Sequence, residues 1–248
     1  MKIGIITAMP GETGAIIRAL QRTQKIRVGG RKLHKAQHLG HEIVIAEAGM
    51  GFVNATTAAR QLLDELRPDL VISAGFCGGI AAELQVGDVV VATGLTIVSE
   101  SGLQEVPVNI SPVSRDFVSR QAVEGQRVFA GLFATTTAIM QKTKLVALLP
   151  PDAPYPVVEM ESAAIALLAG ESGIPFVGLR TVSDPVDEEL GFALDEFCDD
   201  RMRIRIHKVL LTVARKPRII PQLIRLAGNS RVAAASLSQT FKRFLAVM

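Results

Sequence analysis

Apolar residues fall along the chain in short dense runs separated by stretches of helical period. Residues 2–8, 42–48, 70–74 and 176–182 are dominated by Ile, Val, Leu, Ala and Gly, the pattern of strands buried on both faces of a parallel sheet. Further strands are expected over 86–91, 127–134 and 157–160. Between them the spacing predicts helices. One covers 12–20 after the Pro10-Gly11 turn, and another covers 54–66, with Ala58, Leu62, Leu63 and Leu66 in helical register and Pro68 beyond the stop. A third covers 161–171, closed by Gly173 and Pro175. The polar stretch 22–42, with Gly29-Gly30, reads as a hairpin. Gly75-Phe76-Cys77-Gly78-Gly79 reads as a small-residue turn, and the Pro- and Ser-bearing segment 95–125 as loops covering something. Strands alternating with helices imply an α/β fold: one domain whose central mixed, mostly parallel twisted sheet is flanked by helices.

Composition narrows the class. The chain has 248 residues, 48% hydrophobic and 21% charged, which is globular and large enough to bury a core. Mean hydropathy is +0.32, yet no run of about 18 apolar residues is present to span a bilayer. The start, MKIGIITAM, lacks the charged n-region and cleavage site of a signal peptide, so a cytoplasmic domain is expected. Cys77 and Cys198 form no C-x-x-C, and the four histidines form no H-E-x-x-H. A disulfide framework is therefore not expected, and neither a metal nor a cofactor is.

Charge divides the chain. Residues 201–248 hold eleven Lys or Arg and no acid, a charge of +11; the first 200 hold sixteen basic and twenty-four acidic residues, a charge of −8. Two parts are expected on this basis, an acidic body over 1–200 and a basic helical C-terminal tail over 201–248. In the tail, Ile219, Ile220, Leu223, Ile224 and Ala227 recur at helical spacing, as do Leu237, Phe241, Phe244, Leu245 and Met248, with Arg231, Lys242 and Arg243 elsewhere on the turn. A basic amphipathic helix suits peripheral contact with an anionic membrane surface. Packing on the body or on a second copy fits equally well. Nucleic acid is disfavoured, because the tail offers no Tyr or Trp and only two Phe for stacking.

In an open α/β sheet, ligands bind beyond the carboxyl ends of the strands. Glu12 follows the first strand, Gly49-Met50-Gly51 the second, and Gly75–Gly79 the third; Glu159, Met160 and Glu161 end the run at 157, and Arg180, Ser183 and Asp184 end the last. Each has a plain reading too: Glu12 suits the first turn of a helix, and Asp184 before Pro185 suits a turn. Glu159 and Glu161, two apart, would diverge on a helix, leaving one as a ligand and the other as a dipole partner. Together, three carboxylates, an arginine and two glycine turns on one edge exceed what a fold needs.

In this order, Gly4-Ile-Ile-Thr-Ala-Met-Pro-Gly-Glu12, Gly49–Asn54, Gly75-Phe-Cys-Gly-Gly79 with Val86-Gly-Asp-Val89, Val158-Glu-Met-Glu-Ser-Ala-Ala164 and Arg180-Thr-Val-Ser-Asp184 resemble the nucleoside phosphorylase superfamily. The resemblance covers about residues 1–195 and lies in the branch of the methylthioadenosine/S-adenosylhomocysteine nucleosidases. It implies a homodimer or larger homo-oligomer, no cofactor, and cleavage of the N-glycosidic bond of a purine nucleoside. It further implies Asp184 as the acid at purine N7 with Ser183 positioning it, Met160 under the ribose and Glu161 on its hydroxyls. Glu12 would activate water with Arg180 steering it, and the backbone of Cys77 and Gly78 would meet the base edge.

The chain also departs from that pattern. Where family phosphorylases hold phosphate with an arginine and a serine, it carries Ser73 and Phe76; Phe76 also replaces a small hydroxylic residue of the nucleosidases. Where those enzymes stack a phenylalanine on the purine, Ile139 or Met140 stands here. Hydrolysis is favoured because Glu12 is present, with phosphorolysis, or a catalytically idle nucleoside-binding relative, as alternatives. Lys216-Pro-x-x-x-Pro221-x-Leu-Ile-Arg-Leu-Ala is similar to hopanoid-associated phosphorylases, which would make adenosylhopane a candidate 5′-substituted adenosine.

Overall fold

The computed structural model describes residues 1–20, 22–99, 101–123, 127–187 and 215–248, with Phe197 and Thr212. The expected boundary near 200 and the basic run Arg201-Met202-Arg203-Ile204-Arg205 lie outside the described residues.

Among these residues the chain runs β1 (Lys2–Thr7), α1 (Pro10–Ala19), β2 (Gln24–Val28), β3 (Arg31–His38), β4 (His41–Glu47), α2 (Phe52–Leu66), β5 (Leu70–Gly79) and β6 (Val89–Ser99). It continues through β7 (Gly102–Glu105), α3 (Pro112–Val123), β8 (Val128–Thr136), α4 (Lys142–Leu148), β9 (Val157–Glu159), α5 (Ser162–Glu171), β10 (Phe176–Asp184) and α6 (Ile220–Val247). The expected hairpin forms: β2 and β3 pair across Gly29-Gly30, both at positive φ (53° and 80°), which matches the right-handed strand twist.

The sheet is mixed and partly closed. β4, β1, β5 and β10 run parallel side by side, while β10 meets β6 antiparallel. β6 then pairs β8, β8 pairs β9, and β9 returns antiparallel to β5, closing a ring of five strands. Helices α2 and α5 cover one side, where Ala58, Leu62 and Ala166 pack on Val71 and Phe176. On the other side α1, α3 and α6 bury Ile16, Phe117, Leu237, Phe241 and Phe244 against Ile5, Ile72 and Val177. The C-terminal half of α6 therefore belongs to the core; the Phe117 and Phe244 rings meet edge-on at 5.2 Å. Among the described residues no helix is long and apolar enough to cross a membrane.

Two local expectations are corrected. Gly75–Gly79 is strand, the second half of β5, and not a turn. Its missing side chains make room for the site, because a Cβ at Gly75 would lie 2.5 Å from Glu12 Oε1 and one at Gly78 2.8 Å from Asp184 Oδ2. The segment 95–125 holds the end of β6, β7 and α3. The inward face of α3 is Ser114, Phe117 and Gln121, so one large apolar anchor between two polar residues hid its helical period.

Candidate active site

Glu12 sits in the first turn of α1, directly beyond β1. Its Oε2 accepts hydrogen bonds from the backbone N–H groups of Ala8 (2.7 Å) and Met9 (2.9 Å), and its Oε1 from that of Phe76 on β5 (2.7 Å). Burial pushes its pKa up; Arg180 and the three N–H donors oppose this, and the net direction is upward.

Arg180, 1% exposed at the middle of β10, is the hub. Its Nη2 donates to Glu159 Oε2 (2.5 Å), Glu161 Oε2 (3.2 Å), Ser162 Oγ (3.1 Å) and Ser73 Oγ (3.2 Å), while Nη1 donates to the Phe76 carbonyl (3.3 Å). Burial would lower its pKa, but the charges of Glu159, Glu161 and Glu12 outweigh that and raise it.

Glu159 and Glu161 do not diverge, because they are not on one helix: Glu159 ends β9 and Glu161 precedes α5. Glu159 is the dipole partner, its Oε2 accepting from the N–H groups of Glu161 (3.0 Å) and Ser162 (2.7 Å), while its Oε1 accepts from Thr135 Oγ1. That leaves Glu161 to accept from the Gly51 N–H (2.8 Å), which brings in the second glycine turn. Burial raises the Glu161 pKa to about 7; Glu159 and Glu12 add to the rise, while Arg180 and the Gly51 N–H oppose it.

The second pole lies two residues further along β5. Asp184, at the end of β10, accepts from Ser183 Oγ at Oδ1 (2.7 Å) and pairs Lys142 Nζ at Oδ2 (2.7 Å). Ser183 Oγ is also 3.3 Å from the Cys77 carbonyl, and Gly78 lies under the carboxylate. From Phe76, which touches Glu12, to Gly78, which borders Asp184, a strand rises about 7 Å. The pole rich in carboxylates and the Asp184 pole thus flank the glycine half of β5.

Other expected residues are dispersed around these poles. Met160 is half-buried between Glu159 and Glu161. The Phe76 ring faces the start of α1, where a Cβ at Gly11 would be 3.7 Å from its Cε2. Ile139 is 43% exposed, and Met140 packs with Val158 on the small cluster of Ile80, Ala134 and Leu145. Sequence reasoning missed Thr135 and Ser162, and it missed Lys142 altogether. Nothing in Gln141-Lys142-Thr143-Lys144 distinguishes the buried lysine from the exposed one.

Likeness to known proteins gives this geometry a family. The profile of the phosphorylase superfamily matches residues 2–215, and the chain belongs to that superfamily. Within it, the chain is 31% identical over 218 residues to the 5′-methylthioadenosine/S-adenosylhomocysteine nucleosidase of Listeria welshimeri, covering 79% of this chain and 92% of that one. It is 30% identical over 212 residues to the nucleosidase of the same name from Actinobacillus succinogenes, covering 79% and 91%. Among solved structures, the Helicobacter pylori nucleosidase with butyl-thio-DADMe-Immucillin-A superposes with a TM-score of 0.76 at 22% identity, covering 100% of this chain and 99% of that one. Futalosine hydrolase from the same organism superposes with a TM-score of 0.75 at 22% identity, covering 100% and 98%. At those identities the superpositions show the fold.

Proposed function

We propose that the protein hydrolyses the N-glycosidic bond of a purine nucleoside, releasing adenine from a 5′-substituted adenosine. The observation that carries this reading is the buried Glu12–Arg180–Glu159–Glu161 cluster set across the β5 glycines from Asp184. Breaking a ribosyl–purine bond builds positive charge on the sugar and negative charge on the base. Carboxylates near the sugar stabilise the first, and an acid at N7 relieves the second. Asp184 gives its proton to N7 with Ser183 orienting it, while the Cys77–Gly78 backbone meets the base edge and Ile139 or Met140 the purine face. Met160 lies under the ribose, and Glu161, once ionised, accepts its 2′ and 3′ hydroxyls. Glu12 takes a proton from water as that water adds to C1′ and the C1′–N9 bond breaks. Adenine leaves with the proton at N7.

The charge balance supports water over phosphate. Three carboxylates surround one guanidinium whose Nη2 already has four acceptors, so a phosphate dianion would meet net negative charge. The start of α1, where free N–H groups could hold an anion, is faced by the Phe76 ring and bound to Glu12 itself.

The tail supports a finer reading: a cytoplasmic homo-oligomer that touches the inner membrane surface and takes a lipid 5′ substituent such as that of adenosylhopane. The first half of α6 exposes Ile220, Ile224 and Val232 beside exposed Arg218, Arg225 and Arg231, with no acidic residue from 201 onward. Co-sedimentation with anionic vesicles is expected to fall in an Ile220→Gln/Ile224→Gln variant, and equal partitioning would overturn the membrane contact. For the reaction, chromatography should show adenine released from methylthioadenosine, and faster from a long-chain 5′-alkyl adenosine. Asp184→Asn should abolish release with the circular dichroism spectrum intact; wild-type rates in that variant would overturn the mechanism.

A further inference from the structure

Lys142 stands where a lysine is not expected. It is buried at the first position of α4, where the helix dipole disfavours a cation, and lysines are rarely buried without a partner. All three of its N–H bonds point to one corner: Asp184 Oδ2 (2.7 Å), the Asp184 carbonyl (3.0 Å) and the Pro185 carbonyl (2.5 Å). Its Cε fits only because Gly78 has no side chain; a Cβ there would be 3.0 Å from it. Ser183 holds Oδ1. The carboxyl group of Asp184 is therefore gripped at both oxygens, by a hydroxyl on one and an ammonium on the other.

We infer that Lys142 is a positioning residue that sets the orientation and the proton affinity of Asp184, making it a stronger acid toward the purine. This role presupposes that Asp184 is the acid at N7, as proposed above. When Asp184 gives its proton to N7 it becomes the carboxylate that the ammonium pairs best. The ion pair thus strengthens as the C1′–N9 bond breaks, and an interaction that grows toward the transition state raises kcat rather than binding. Among the described residues, the titratable groups facing this corner are Lys142 from α4 and the Cys77 thiol from β5. Burial raises that thiol well above its usual range, with Asp184 and Glu159 adding and Arg180 and Lys142 opposing, so it is neutral and leaves the pair undisturbed at neutral pH.

A neighbouring ammonium lowers a carboxyl pKa, so its removal raises it. In Lys142→Met the Asp184 carboxyl, followed by its carbon-13 shift in the folded protein, is expected to titrate about 1–3 pH units higher than in wild type. That titration needs no turnover, so it reads Lys142 even where base release fails. In turnover, kcat should drop by about tenfold or more, with the alkaline limb of its pH profile moving up by the same interval and KM nearly unchanged. Lys142→Arg, which keeps the charge, should keep the limb near its wild-type place. An unmoved Asp184 midpoint in Lys142→Met, or an alkaline limb displaced as far in Lys142→Arg as in Lys142→Met, would overturn the inference and mark Lys142 as a strut for α4.

Discussion

Glu12 and Arg180 approach no closer than 4.0 Å, although both are buried in the same cluster. Arg180 instead directs Nη2 to Glu159 and Glu161, and Glu12 is held by backbone N–H groups of Ala8, Met9 and Phe76. Glu12 is thus fixed in place without being neutralised at contact, which suits a group that must take a proton from water. Glu12→Gln is expected to lower kcat by about 100-fold or more while calorimetry still detects nucleoside binding. Near-wild-type turnover in that variant would remove Glu12 from the mechanism.

Arg180 has a structural duty as well. Its loss would leave Glu12, Glu159 and Glu161 buried without a cation, and breaking a buried pair costs about 3–5 kcal/mol. Arg180→Met should shift the urea midpoint down accordingly. A stability equal to wild type would mean that the three carboxylates are already protonated in the folded protein.

Gly75→Ala tests the space that the glycine strand provides. The added Cβ would sit 2.5 Å from Glu12 Oε1, and overpacking of this kind costs about 1–3 kcal/mol. Turnover should fall far more than stability, because Arg180 Nη1, which would lie nearer still, and Glu12 are what must move. Gly30→Ala meets nothing within 4 Å, so it should leave turnover alone and affect only its left-handed turn.

The raised pKa of Glu161 predicts a pH dependence. With its pKa raised to about 7, its carboxyl becomes the charged acceptor that suits two sugar hydroxyls at once only above that pH. kcat/KM should therefore fall as pH drops through about 7, and Glu161→Gln should be slow at every pH with that limb gone. A profile flat from pH 6 to pH 8 would contradict the assignment of Glu161 to the ribose.

Much of this fold and site is legible in the sequence. The apolar runs at β1, β4, β5 and β10 announce themselves, and the carboxyl ends of β1, β9 and β10 carry Glu12, Glu159, Glu161 and Asp184. Arg180, expected at the end of the last strand, sits at the middle of β10 and reaches the carboxylates from there. What hid did so for physical reasons. Gly75–Gly79 looks like a turn because strands seldom lack side chains, and only the carboxylates crowding against it explain the absence. Pairing between elements distant in sequence, such as Lys142 with Asp184, leaves no local trace. The tail misleads in another way: its charge suggests a separate appendage, while Leu237, Phe241, Phe244 and Leu245 are core residues. Deleting 201–248 would therefore remove part of the fold, and substitutions on the exposed half of α6 are the cleaner probe.

The central claim is that water, not phosphate, receives the sugar at a site where Asp184 serves the base. Its most direct test is adenine release from methylthioadenosine in phosphate-free buffer and again with phosphate added, with the sugar product analysed by chromatography. The same rate in both buffers and free methylthioribose as the product are expected. Release that requires phosphate and yields the sugar 1-phosphate would contradict the account and make the Arg180 cluster an anion site despite its carboxylates.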